Sequence, residues 1–409
     1  MTETPMESVE RVVADGLCMQ CGTCAGVCSH DAVAMTWTLA RGWLPRVDAT
    51  RCAGCGACRE VCPGSGLDFG RDAWWRAANE GAPAPDYLGP WRGLWFGWAS
   101  DEETRYRGAS GGLATAILSG ALADGLIDAA VVVRATPGNA LAMEPLVARS
   151  EAEIAGCRGS KYDMVALNVA LREVLARPGR YAVVGLPCHI HGLRLAQRRD
   201  GRLRERVALT LGIFCGWSGE PRGTALAARR LGLDPAELTA VRYRGPGWPG
   251  GLRLETRGGL VREQPYPDYD DATVLALTPP RCRLCPDGTA ELADLSVGDA
   301  WLERFEGTPG VSDLIARTPA GEAMVERLAG RLTLLPAGPC EMLQTQRETH
   351  RLKRGGWRGR LWLERRRGRP VPAYPGLEDR PSGREMVAGA AAAAGEAARR
   401  AFVAARWGL

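Results

Sequence analysis

The stretch CMQCGTCAGVC at residues 18–28 and its echo CAGCGACREVCP at 52–63 decide how this chain begins to fold. Cys18, Cys21, Cys24 and Cys28 stand as C-x2-C-x2-C-x3-C, and Cys52, Cys55, Cys58 and Cys62 repeat that spacing with Pro63 directly after. Three thiolates at this spacing can wrap three irons of one cubane cluster, so the fourth must come from elsewhere in the chain. In a two-cluster arrangement it comes from the other run, which assigns Cys18, Cys21, Cys24 and Cys62 to one [4Fe-4S] cluster and Cys52, Cys55, Cys58 and Cys28 to a second. Gly22, Gly54 and Gly56 let the backbone turn tightly round the sulfurs. A pair of zinc sites is the plainer alternative, but zinc motifs separate two C-x2-C pairs by a longer loop. Ser29 and His30 follow Cys28 where bacterial ferredoxins usually carry Pro, a change that bears on shielding of one cluster and removes no ligand.

Between the two runs, AVAMTW and GWLPRVDAT read as short strands joined at a Gly turn. Residues 1–70 therefore form a small two-cluster, ferredoxin-like domain. At 409 residues the chain has room for further domains and a sizeable core. Hydrophobic residues make up 45% and charged residues 24%, an ordinary globular balance. The net charge of +5 comes from Arg almost alone, with Lys161 and Lys353 as the two lysines, and carries no nucleic-acid signal. The N-terminus lacks a basic and apolar leader, and no apolar run is long enough to span a membrane. A cytoplasmic protein is expected, in which 14 cysteines point to metal ligation before disulfides.

Residues 71–100 read as a Trp-rich connector packed by aromatic rings. Beyond it lies an α/β or α+β body: a helix-period run from about 112 to 123, a strand at 128–133, then RYAVVGL running into PCHIHGLRLAQRR as a loop and helix. RVALTLGIF is a strand leading to Cys215, and GTALAARRLGL a short helix. ELTAVRYRG, GLRLETRGG and LVREQPY turn like a β-meander. The tail at 351–409 has the composition of a surface helix and is assigned no chemistry. Of the remaining cysteines, Cys188 and Cys215 follow strands, and Cys282 with Cys285 form a C-x2-C. Neighbouring parallel strands share one carboxyl rim, where these four thiols could meet round a third cluster or a structural zinc. Cys157 and Cys340 are expected to be small buried hydrophobes.

GASGGLATAIL, GSKYDM, VVGLPCHIHGLR, GIFCGW, YRGPGWPGG and PPRCRLCPD followed by ADLSVGDAW are similar, in order and character, to the coenzyme F420 hydrogenase/dehydrogenase beta-subunit family. That family includes 7-hydroxymethyl chlorophyll a reductase and a divinyl chlorophyllide reductase. The resemblance divides the body into an N-terminal part at 101–185 and a C-terminal part at 186–350. It implies FAD beside a [4Fe-4S] cluster, with Cys188, Cys215, Cys282 and Cys285 as ligands. Ser110, Gly111 and Gly112 before a helix could cradle a pyrophosphate or form a plain N-cap, and the resemblance favours the first. Gly159, Ser160, Lys161 and Tyr162 form a second patch, where a compact ammonium could sit beside a flavin or simply lie on the surface. The resemblance sets Asp299 near the flavin; it could instead cap the next helix. His189 and His191 follow Cys188 and could serve a sulfur, a substrate or only packing.

The expected activity is an oxidoreductase exchanging electrons between FAD, with coenzyme F420 as its two-electron partner, and one-electron carriers through the clusters. A ferredoxin-dependent reductase of an organic substrate is one alternative, and an electron-transfer subunit of a larger hydrogenase or dehydrogenase is another. The absence of a G-x-G-x-x-G after a strand speaks against direct NAD(P)H use.

Overall fold

The structure is a computed structural model that describes residues 8–69, 88–269, 277–375, 377 and 380–407. In the N-terminal unit, β1 (Val33–Thr38) and β2 (Gly42–Val47) form an antiparallel hairpin with Val33 opposite Val47. Two one-turn helices, Thr23–Gly26 and Ala57–Glu60, flank it. Each starts after a left-handed glycine, Gly22 at φ +81° and Gly56 at φ +70°, a conformation in which a Cβ would be strained. The hairpin expected from the sequence is present.

The body is built on one eight-stranded mixed sheet. Its strands are β3 (Gly93–Ala99), β4 (Ala129–Thr136), β5 (Asn139–Ala148), β6 (Tyr181–Gly185), β7 (Val207–Ile213), β11 (Leu295–Asp299), β12 (Ser312–Ala316) and β13 (Leu332–Pro336), in the order β13-β3-β12-β11-β7-β6-β4-β5. The four central strands β4, β6, β7 and β11 run parallel, and the others join antiparallel at both sides. Parallel strands need helical crossovers that cover both faces, which is why AVV and LTLG runs here are apolar without alternation. Leu209, Leu211, Leu295 and Leu314 are buried with helix residues Leu113 and Ile117 on one face. Val183, Leu193, Leu203 and Leu171 fill the other. A separate antiparallel meander, β8 (Leu238–Arg242), β9 (Gly251–Thr256) and β10 (Val261–Pro265), matches the expectation for 237–266.

Three expectations change. The connector at 71–100 lies partly outside the described residues, but the stretch Gly93–Ala99 near its end is β3, hydrogen-bonded between β12 and β13. Its Trp and Gly punctuation concealed a strand whose Leu94, Phe96 and Ala99 are buried. No loop separates β6 from the next helix: Pro187 occupies its first turn, where a missing N–H costs nothing, and Cys188 follows on that turn. The segment from 351 onward is more than a surface helix. Its helix Trp357–Arg366 pairs with Gly383–Trp407, and Trp357 and Tyr374 are fully buried against Leu284 and Leu292. No helix among the described residues is long and apolar enough to cross a membrane.

Candidate redox centre

The structure gathers the thiols of the N-terminal unit into two sets. Cys18, Cys21, Cys24 and Cys62 line one cavity together with Gln20 and Pro63. Cys58 lies within electrostatic reach of Cys52, Cys28 and Cys55. Each first-set thiol is buried, and that burial pushes Cys24 well above its ordinary value and Cys62 up to about 12. Sulfurs so far from ionising alone need a bound cation to become thiolates. Donors already point at them: Gln20 N–H to Cys18 Sγ at 3.4 Å and Ala32 N–H to Cys28 Sγ at 3.3 Å. No three His, Cys, Asp or Glu side chains among the described residues converge as ligands of one ion would. Thiols spread round a cavity suit the corners of a cube.

A third set assembles at the carboxyl rim of the parallel strands. Cys188 opens the helix after β6, Cys215 stands two residues past β7, and Cys282 and Cys285 bracket the end of the short helix Pro280–Arg283. Cys188 is within reach of Cys215, Cys282 and Cys285, and also of Cys21, so the third set adjoins the first. Met19, Cys188 and Cys285 pack together at that junction. Lys353 closes the set from the C-terminal segment, its Nζ donating to Cys282 O at 3.2 Å. Burial disfavours its charge, yet the thiols of Cys285, Cys215 and Cys282 hold its pKa above the ordinary value. Arg281 ties the two units together by donating to Gly64 O at 2.8 Å, Pro63 O at 3.0 Å and Tyr374 Oη at 2.6 Å.

Both histidines are engaged away from the sulfurs. His189 Nδ1 accepts from Leu186 N–H at 3.0 Å and its Nε2 pairs with Val165 O at 3.0 Å, and burial lowers its pKa to about 4. His191 Nε2 meets Asp287 Oδ2 at 2.8 Å, both buried. Cys157 is half-buried, whereas Cys340 is exposed on the helix Pro339–Thr345 and is not the buried residue expected.

A second pocket adjoins the same rim. β7 and β11 run parallel with Ile213 beside Val297, and Phe214 N–H donates to Val297 O at 2.8 Å. Asp299 at the end of β11 thus stands next to the strand end that carries Cys215. Asp299 caps no helix; it accepts from Arg244 Nη2 at 3.0 Å and from Trp248 Nε1 at 2.9 Å. Arg244 is the hub, donating also to Tyr162 Oη at 3.1 Å and to Ala109 O at 3.0 Å, beside Ser110. Burial opposes its charge, but Asp299 and Tyr162 raise its pKa further. Its guanidinium lies over the rings of Tyr266 at 4.6 Å and Trp301 at 5.4 Å. Trp301 stacks on Tyr266 at 5.3 Å and packs on Trp248 at 4.8 Å, leaving an aromatic wall with 36% of Trp301 open to solvent.

The sequence-derived nucleotide residues divide. Ser110 Oγ donates to Val311 O at 2.8 Å and Gly111 N–H to Ser312 Oγ at 3.0 Å, so these two donors are already used. The expected free cradle contracts to Gly112, in the left-handed region at φ +76°, and to the first-turn N–H groups of Leu113–Ala123, which have no acceptor within their helix. Lys161 turns away from the aromatic wall, with Nζ donating to the carbonyls of Cys157, Arg158 and Gly159. There it neutralises a helix C-terminus, and burial lowers its pKa to about 8. Gly159 and Ser160 belong to that turn, while Tyr162 faces Arg244. Arg244 and Lys353 were not singled out from sequence. Lys353 could have been found by the rarity that marked Lys161; Arg244 had no such signal among so many arginines. An orphaned polar atom lies close by: buried Asp313 Oδ1 has no partner, while its Oδ2 accepts from Thr345 and Gln346. The aromatic wall, the cation at Arg244 and the remaining helix-start donors fit a flavin nucleotide; the three thiol sets fit four-iron cubes.

Comparison with known proteins agrees with this organisation. The family described as "Coenzyme F420 hydrogenase/dehydrogenase, beta subunit" matches in both its parts, the N-terminal profile over residues 94–172 and the C-terminal profile over residues 179–338. Residues 17–65 match a "4Fe-4S dicluster domain". The chain is similar to the beta subunit of coenzyme F420 hydrogenase from Methanothermobacter thermautotrophicus, 28% identical over 59% of this chain and 82% of that one. It is 24% identical to the F-type subunit of the F(420)H(2) dehydrogenase from Methanosarcina mazei, over 80% of this chain and 86% of that one. A chain of the F420-reducing [NiFe] hydrogenase complex from Methanosarcina barkeri has the same fold at TM-score 0.54 and 21% identity, covering 72% of this chain and 99% of that chain.

Proposed function

Because the chain belongs to the coenzyme F420 hydrogenase/dehydrogenase beta-subunit family and is an iron–sulfur oxidoreductase, we propose that it exchanges electrons between coenzyme F420, at a flavin on the strand rim, and one-electron carriers. Cys18, Cys21, Cys24 and Cys62 would hold one [4Fe-4S] cluster, Cys28, Cys52, Cys55 and Cys58 a second, and Cys188, Cys215, Cys282 and Cys285 a third. FAD would supply two-electron chemistry and the clusters single-electron steps. The observation that carries this reading is the shared rim: Cys215 and Asp299 end neighbouring parallel strands, and Cys188 reaches Cys21 on its other side.

The chain's own groups have separable tasks. Arg244, held by Asp299, offers a fixed positive charge to an electron-rich ring or to an anionic substrate, and Trp301 with Tyr266 offers a flat apolar surface. Helix-start donors from Gly112 onward would take phosphate oxygens. Phe214, seated where any side chain on Gly298 would fall, fills the gap between pocket and thiols and keeps water out.

Anaerobic preparation followed by iron and flavin analysis should give roughly twelve irons per chain from three four-iron cubes, and one FAD. Cys285→Ser should remove about a third of that iron and leave the two N-terminal clusters. Stopped-flow mixing with reduced F420 should bleach the flavin, and mixing with NADH should not. Colourless protein containing zinc and no releasable flavin sinks the proposal.

A further inference from the structure

The second thiol set sits at the surface, and its surroundings point to the partner it serves. Cys55 is exposed, and Gly54 and Gly56 on either side have open space where side chains would stand. A large molecule can therefore approach these sulfurs closely. Beside them a broad groove runs between the N-terminal unit and the body, reaching Cys28 and Ala57 on one wall. The other wall carries Arg172, Arg198, Arg199 and Arg202, against the carboxylates of Glu60 and Asp200. Arg172 shares Asp31 with Arg51, at 2.8 Å and 3.7 Å, so the basic wall continues round to the residue preceding Cys52. Internal ion pairs fix the guanidinium positions and leave the face with more positive than negative charge.

We propose that this basic face round Cys28, Cys52, Cys55 and Cys58 is the docking site of a small acidic electron-carrier protein that exchanges one electron per encounter with the outer cluster. The inference rests on the proposed function, which puts a cluster there. Its basis is charge complementarity: a single-sign rim raises the encounter rate with an oppositely charged partner and aligns it. Exchange of one electron makes and breaks no bond, so the carrier's reduced cluster is oxidised as the outer cluster is reduced.

The test uses the full holoprotein, an acidic two-cluster ferredoxin and, for comparison, the methyl viologen radical cation. Reduction by ferredoxin should slow about tenfold or more between roughly 0.01 M and 0.15 M salt, as the Debye length falls from about 30 Å to about 8 Å. Arg198→Glu with Arg202→Glu should slow it comparably at low salt, and Arg→Lys at both positions should restore it. Reduction by viologen, itself a cation, should stay the same or quicken in the Glu variant. Iron content should be unchanged throughout. If viologen reduces the protein but ferredoxin shows neither salt nor charge dependence, the docking face is wrong while the functional reading stands. Absence of iron overturns the functional reading, and the docking face with it.

Discussion

Lys353 illustrates how one side chain can set the character of a site. A buried ammonium hydrogen-bonded to Cys282 O and flanked by three thiols stabilises added negative charge, so it favours the reduced form of any cluster held there. Lys353→Met should lower the midpoint potential of the third cluster, leaving the other two in place, and Lys353→Arg should largely preserve it. EPR-monitored redox titration reads all three, and an unmoved potential sinks the idea. Asp313 gives a pH signature. Burial, against hydrogen bonds from Thr345 and Gln346, pushes its pKa up to about 8. The folded chain thus keeps a proton that the unfolded chain, with an ordinary Asp near about 3.9, has lost. Its contribution is intact at low pH and declines as pH rises through about 8, by about 1.4 kcal/mol per unit below that point. Asp313→Asn should show a shallower fall in apparent Tm between pH 6 and pH 8; parallel curves would contradict the assignment. The cysteine runs were legible residue by residue because ligand spacing is local chemistry. Arg244 was not, because its role comes from three segments far apart in sequence that meet only after folding.

Among the elements, the parallel strands and their helices were readable from apolar runs of the right length, whereas β3, β5, β12 and β13 were not identified. β3 is Trp- and Gly-rich, and its strand identity comes from β12 and β13, both more than 200 residues away in sequence. The C-terminal helices were misjudged for a similar reason: an Ala- and Arg-rich composition gives helix but not what the helix covers. Trp357 shows what it covers, donating Nε1–H to Leu284 O at 3.0 Å beside Cys285 and packing on Tyr374 at 5.5 Å. Removing that ring leaves a cavity under the third thiol set, at about 3–5 kcal/mol for a buried Trp. Trp357→Ala should therefore yield protein short of about a third of its iron, with the N-terminal pair retained. Iron analysis with EPR decides the matter, and full iron content refutes it.

At the scale of the whole molecule, the N-terminal unit is built into the body. Any side chain on Gly26 would overlap Asn168, and any on Gly192 would overlap Thr23, so these two backbones touch where Cys21 and Cys24 sit. Asn168 seals the contact by donating to Thr23 Oγ1 and His189 O, each at 2.8 Å. A domain boundary near residue 70 is what the cysteine runs suggest, and nothing local in the sequence discloses how intimate the contact is. Interleaving has a further meaning for biogenesis. Cys28 belongs in sequence to the first run but in space to the second set, and Cys62 the reverse. A nascent chain ending short of residue 62 can therefore complete neither of the first two cubes. The third waits longer still, until Lys353 and Trp357 have left the ribosome, so metal insertion proceeds from the N-terminus inward and finishes only when synthesis is nearly over.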